Sequence, residues 1–232
     1  MRTNTRFRLL ALPLASALLS IAGAQTPAAN PDRRARQRPP QETRSPSDPR
    51  ATEAEARERQ GRKLEELRRE REREPESAAS NYNLGAALYV AGLYEEAAKY
   101  LALAAGLDAG FAAPRRALGL AYYKLGRYGD SAEAFRQLTR LEPRLAEGHN
   151  NLGVAYVKAG KYREAVAALR EAVSIDPAYA QARFNLGAAL VAANEKGAAV
   201  EQHDALLALD ARLAAKLFRL IHKDKLVDVG SN

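Results

Sequence analysis

Three histidines, His149, His203 and His222, are the only imidazoles of the chain, and there is no cysteine. Imidazole could hold a metal ion or move a proton, but either task needs partners gathered at short spacing. None of the three has a cysteine or a paired carboxylate at a ligand spacing. His203 falls in a phase otherwise held by large apolar residues, which predicts a partly buried packing role. The acidic pairs Glu95-Glu96 and Asp130/Glu133 stand where helices are expected to begin, and carboxylates suit the positive end of a helix dipole. No nucleophile motif, no glycine-rich loop between a strand and a helix and no Walker sequence is present. These residues assemble no reaction centre, so the expectation is a chain without catalysis, metal or cofactor.

The elements that would carry a function change character along the chain. Hydrophobic residues make up 47% and charged residues 28% of the 232 positions, and the second half is rich in alanine and leucine. That composition favours helices. Arg2, Arg6 and Arg8 precede an uncharged apolar run, Leu9 to Ala22, and small residues follow at Ala22-Gly23-Ala24. This order predicts a secretory signal peptide over 1–24, cleaved after Ala24, with export to the periplasm or beyond. An uncleaved anchor is the alternative, although the run is shorter than the roughly 20 residues a membrane span needs. Residues 25–50 are rich in proline and arginine and lack aromatic, leucine, isoleucine and valine side chains, which predicts a disordered linker. Residues 51–77 pair glutamate with arginine at helical spacing, as in Glu58–Arg62 and Glu65–Arg69, and predict a charged helix. Leu67 shares the phase of Leu101, Phe135 and Leu169, so the end of that helix is expected to form a half-repeat cap.

The formal net charge is +8, but 15 basic and 14 acidic side chains over 78–213 leave that region nearly neutral. A nucleic-acid partner is therefore not expected, since phosphate binding needs a cationic block. From residue 78 the chain is periodic. Leu84-Gly85, Leu118-Gly119, Leu152-Gly153 and Leu186-Gly187 recur at a step of 34 residues. Gly92, Gly126 and Gly160 keep the same phase, as do Tyr94, Tyr128 and Tyr162. So do Ala97, Ala165 and Ala199, with Ser131 in the second copy. Pro143 and Pro177 close the second and third copies. Each copy, 78–111, 112–145, 146–179 and 180–213, is expected to form two amphipathic helices joined by a glycine turn. Stacked copies predict an all-α solenoid. Leu220 lies 34 residues after Leu186; a capping helix is expected over 212–224, and the segment after the fourth copy, 214–232, is assigned to that cap and a tail.

This pattern resembles the tetratricopeptide repeat (TPR) family over residues 78–213. The family usually places a bulky residue three positions before the leucine, whereas this chain has Asn81, Arg115, His149 and Arg183 there. The resemblance explains Gly85, Gly119, Gly153 and Gly187, because in the family the residue after the leucine lies where the two helices of a repeat cross. It also implies a groove lined by the first helices and open to a peptide or a partner helix. The corresponding positions hold Tyr82, Asn83 and Tyr89 in copy one and Arg116, Tyr123 and Lys124 in copy two. They hold Asn150, Asn151 and Lys158 in copy three and Phe184 and Asn185 in copy four. The lysines equally suit a solvated surface, and the asparagines equally suit intramolecular capping or contacts between helices. The family's carboxylate clamp is matched only at Asn151, with Arg116 as a basic substitute. Leu120, Gln181 and Asn185 occupy its other positions, so that specificity does not carry over.

The expected function is an exported adaptor that holds a peptide or helix of another cell-envelope protein, touching the membrane only through the signal segment before cleavage. The alternative is a self-assembling structural protein that uses the charged helix and the exposed repeat ends.

Overall fold

The computed structural model describes residues 49–223, and these are helical throughout, with no strand among them. The expected signal peptide and nearly all of the expected linker lie outside the described residues. Helix α1 spans Pro49–Arg73. The four repeats are α2 (Ala78–Val90) with α3 (Tyr94–Leu107), α4 (Ala112–Lys124) with α5 (Tyr128–Leu141), α6 (Ala146–Lys158) with α7 (Tyr162–Ile175), and α8 (Ala180–Ala192) with α9 (Lys196–Leu209). Helix α10, Ala211–Ile221, closes the array.

Each helix packs on the next in chain order. First helices also touch across repeats, α2 on α4 and α6 on α8, whereas the second helices make no comparable contact with one another among the described residues. The first helices therefore form the inner layer of the solenoid. Within each repeat the first helix ends in a tight turn at a left-handed residue. Gly92, Gly126 and Gly160 have φ of 80°, 73° and 74°. There, glycine avoids the Cβ clash that raises the energy of other residues. The fourth copy uses Asn194 at φ 65°. Asparagine is the side chain that best tolerates this region.

The repeat glycines sit at helix crossings. A Cβ added to Gly85 would lie 2.7 Å from Leu101 Cγ, and one added to Gly119 would lie 2.7 Å from Phe135 Cε1. At Gly153 it would fall on Leu169. Leu101, Phe135 and Leu169 are fully buried, as are Ala97, Ser131, Ala165 and Ala199. Ser131 adds a bond of its own, donating its hydroxyl to the Gly119 carbonyl at 2.8 Å.

The two ends depart from the sequence expectation in informative ways. Helix α1 begins at Pro49, within the stretch assigned to the linker, where proline is tolerated because a first-turn N–H has no helical partner. Glu58 pairs with Arg62 at 2.6 Å as expected, but Glu65 takes Arg68 at 3.2 Å, not Arg69. Leu67 is buried with Leu84, Leu88 and Leu101. At the other end the phase breaks. Asp210 alone links α9 to α10, and its carboxylate accepts from the N–H groups of Arg212 and Leu213. Lacking the usual turn, α10 starts early and folds back on both α8 and α9. It buries Ala214, Leu217 and Ile221, while Leu220, the residue in phase, is 39% exposed. Leu217 fills the space over Gly187. His203, which the periodicity places there, is half-buried, bonds Asp204 and lies beside the Phe218 ring.

Candidate functional site

The inner layer is built from one face of α2, α4, α6 and α8. Its residues fall into three groups. Aromatic side chains form the first. Tyr82 meets Phe111 edge-on, with ring centroids 5.2 Å apart. Tyr89 packs on Tyr94 and Tyr123 on Tyr128, each pair 5.4 Å apart, so the two tyrosines brace the turn of their own repeat. Phe184 is half-buried against the core of the third and fourth repeats. All four keep part of their surface in solvent.

The asparagines form the second group, and the structure separates them. Asn83 is exposed. Asn150 is buried, and its Oδ1 accepts from Asn185 Nδ2 at 2.8 Å. Asn150 Nδ2 donates to Asn151 Oδ1 at 3.3 Å, and Gln181 Nε2 donates to Asn185 Oδ1 at 3.0 Å. The amides of Asn151, Asn150, Asn185 and Gln181 thus form a chain that ties α6 to α8. Asn150 and Asn185 thus make a contact between helices, one of the readings the sequence left open for these asparagines. No buried side-chain polar atom among the described residues lacks a partner.

Cations form the third group. Arg116 lies 3.8 Å from Glu147, an ion pair between α4 and α6. Lys124 and Lys158 end their helices and are exposed, and neither forms an ion pair among the described residues. Between α4 and α6 a hollow of about 160 Å³ is lined by Leu120, Tyr123, Phe135, Asn151 and Val154. Sequence reasoning did not identify this hollow, because its walls come from two repeats.

The four residues at the family's bulky position share another role that the sequence did not reveal. Each holds the turn that precedes its own repeat. Asn81 Nδ2 donates to the carbonyls of Pro75 and Ser77 at 2.9 and 2.8 Å. Arg115 reaches those of Phe111 and Ala105 at 3.0 and 3.1 Å. His149 Nε2 donates to Pro143 O at 3.0 Å, and Arg183 Nε to Pro177 O at 2.8 Å. The donor replaces packing with hydrogen bonds to carbonyls at and just before that turn.

The shifted ionisations belong to this framework. Hydrogen bonds from Gln137 and then Arg136 hold the Glu133 carboxyl below its ordinary range. Its hydrogen bond to Asp130 raises the Arg127 guanidinium, and burial pushes the Tyr179 phenol up. Among the described residues, no three His, Asp or Glu side chains gather as metal ligands, and no helix is long and apolar enough to cross a membrane.

The sequence profile described as tetratricopeptide repeat matches residues 51–110, 116–177 and 151–214. No curated protein matches the sequence. Solved structures match the fold. MamA 41-end from Desulfovibrio magneticus RS-1 is 20% identical, with a TM-score of 0.61 over 70% of this chain and 92% of that one. YrrB, described as a TPR protein with an unusual peptide-binding site, is 22% identical, with a TM-score of 0.59 over 68% of this chain and 83% of that one. TTC0263 of Thermus thermophilus, a thermophilic TPR protein, is 18% identical, with a TM-score of 0.52 over 73% of this chain and 94% of that one.

Proposed function

The chain belongs to the tetratricopeptide repeat family, and on that premise we propose that it is a non-catalytic adaptor of the bacterial cell envelope. It holds a peptide or helix of another envelope protein against its inner layer. The carrying observation is that no described residue covers this layer while it displays Tyr82, Tyr89, Tyr123 and Phe184, half-buried and braced by neighbours. Rigid aromatic side chains lose little entropy on contact and dominate many interfaces. The peptide-binding site of YrrB, on a similar fold, supports the reading. The envelope location rests on the arginine-led apolar run and the small residues up to Ala24. Fusion of residues 1–30 to a reporter active only after export tests it; an inactive reporter rejects it.

The binding claim is tested by pull-down from envelope extract with the wild-type chain and the Arg116→Glu/Lys158→Glu variant. Both sites are exposed, and circular dichroism checks that the variant, which loses the Arg116–Glu147 pair, keeps its fold. The partner recovered by the wild type is lost with the variant; equal recovery rejects the inner layer as the site.

A second reading, self-assembly through the array's end, is favoured by the exposure of Leu207 (57%) and Phe218 (48%) on α9 and α10. Light scattering of the mature chain and of a Leu207→Glu/Phe218→Glu variant separates the two. A mass above the monomer that falls in the variant supports assembly.

A further inference from the structure

Helix α10 departs from the rest of the array in its charge. The four first helices carry five cations against one carboxylate. The four second helices carry six cations against eight carboxylates. Helix α10 carries three cations, Arg212, Lys216 and Arg219, and no carboxylate. Their spacing places them within about 60° of arc at 3.6 residues per turn. Lys223 continues that spacing just past the helix end, and all four are exposed. None of them forms an ion pair among the described residues, although Glu201 and Asp204 are exposed on the neighbouring α9.

The opposite side of α10 faces the array. Ala214, Leu217 and Ile221 are buried there, so the cations point outward. Leu220 and Phe218 lie on either side of the cationic stripe and keep apolar surface in solvent. Phe218 is braced by the rings of His203 and His222, with centroids 5.7 and 4.4 Å away. A row of cations edged by apolar side chains suits a partner that offers many phosphates beside hydrocarbon. An anionic lipid surface offers both. Lysine and arginine clusters on an amphipathic helix bind its headgroups, while their long stems lie along apolar surface. RNA would answer the cations but leave Leu220 in water. A second copy is a poorer match, because every described helix that carries carboxylates carries cations as well.

We propose that the α10 end of the array docks on an anionic lipid surface. Helix α10 stays packed on α8 and α9, Arg212, Lys216, Arg219 and Lys223 meet lipid phosphates, and Leu220 and Phe218 enter the headgroup layer. The contact leaves the inner layer free and does not depend on the adaptor reading.

The test uses residues 25–232, which include every described residue and omit the apolar run Leu9 to Ala22. Its first arm is co-sedimentation with vesicles of phosphatidylcholine alone and of phosphatidylcholine mixed with phosphatidylglycerol. Binding is expected to the mixed vesicles only and falls as salt rises. Each cation near an anionic surface is worth roughly fivefold in partitioning, so Lys216→Gln/Arg219→Gln weakens binding about 25-fold. Both positions are exposed, and circular dichroism checks the fold. Equal binding of the variant would put the contact elsewhere and overturn the proposal. Equal binding to both vesicle types, binding to neither, or preference for an RNA oligomer over vesicles would do the same. In the second arm a single tryptophan reports depth, since the chain has none of its own. The emission of Leu220→Trp shifts to the blue with mixed vesicles and is quenched by brominated lipid. Val90→Trp, at the exposed end of α2, shows neither effect. An unshifted tryptophan at 220 on bound vesicles, or equal shifts at both positions, overturns the proposal.

Discussion

Replacing Gly153 with alanine sets two effects of opposite sign against each other. Gly153 lies inside α6, where alanine is favoured over glycine by about 1 kcal/mol in helix propensity. The new methyl, however, falls on Leu169, which is 0% exposed and wedged between α6 and α7. The contact is with the branched Cγ and both of its methyl groups, so rotating one terminal group does not relieve it. Overpacking a filled core costs about 1–3 kcal/mol, and a site this tight belongs at the upper end. Gly153→Ala is therefore expected to destabilise by about 1–2 kcal/mol net, and Gly153→Leu by more. The control is Gly129→Ala. Gly129 lies in the first turn of α5, and an added Cβ there meets nothing within 4 Å. Only the backbone effect remains, and a gain of about 0.4–1 kcal/mol follows. Urea unfolding followed by circular dichroism gives both midpoints, and equal slopes make the comparison valid. The predicted result is a midpoint below wild type for Gly153→Ala and above it for Gly129→Ala. If Gly153→Ala is as stable as wild type, the close crossing is not what that glycine serves.

Other perturbations follow from the same geometry. Leu217→Ala empties the space over Gly187 and is expected to cost about 2–5 kcal/mol, whereas His203→Leu, at the position named by the periodicity, costs little; thermal unfolding compares them. Asn185→Ala leaves the buried Asn150 oxygen without its 2.8 Å donor, a loss of about 1–3 kcal/mol. A double-mutant cycle with Asn150→Ala shows their coupling, and additive effects would deny the bond. Arg115→Leu removes a charged donor from the Phe111 and Ala105 carbonyls, and hydrogen exchange at residues 105–112 is expected to quicken while α8 and α9 stay unchanged.

How far the sequence spoke depended on whether a feature recurs. The step between Leu84-Gly85 and its three later copies was legible because each crossing imposes the same steric demand on the same position. The left-handed turns at Gly92, Gly126 and Gly160 were legible for the same reason, and only the fourth, at Asn194, changed residue. The end of the array was not legible, because Asp210 shortens one connection and shifts α10 out of phase, bringing Leu217 to Gly187 in place of His203. The bond between Asn150 and Asn185 was also hidden. It joins residues 35 apart, one more than the repeat step, so alignment by phase does not pair them. The inner-layer charge emerged only once each helix was assigned to a layer, since Glu95 or Asp130 in the sequence cancels Lys124 or Lys158 that faces the other way. The hollow at Leu120 and Val154 depended on the spacing between α4 and α6, which no local pattern encodes.

Where a partner lies on the array decides whether the inner layer is the binding face. Hydrogen exchange of residues 25–232, with and without the envelope protein recovered by pull-down, locates it most directly. Protection on the first helices, residues 78–90, 112–124, 146–158 and 180–192, is the predicted result. Protection on the second helices, or on α9 and α10 alone, would contradict it.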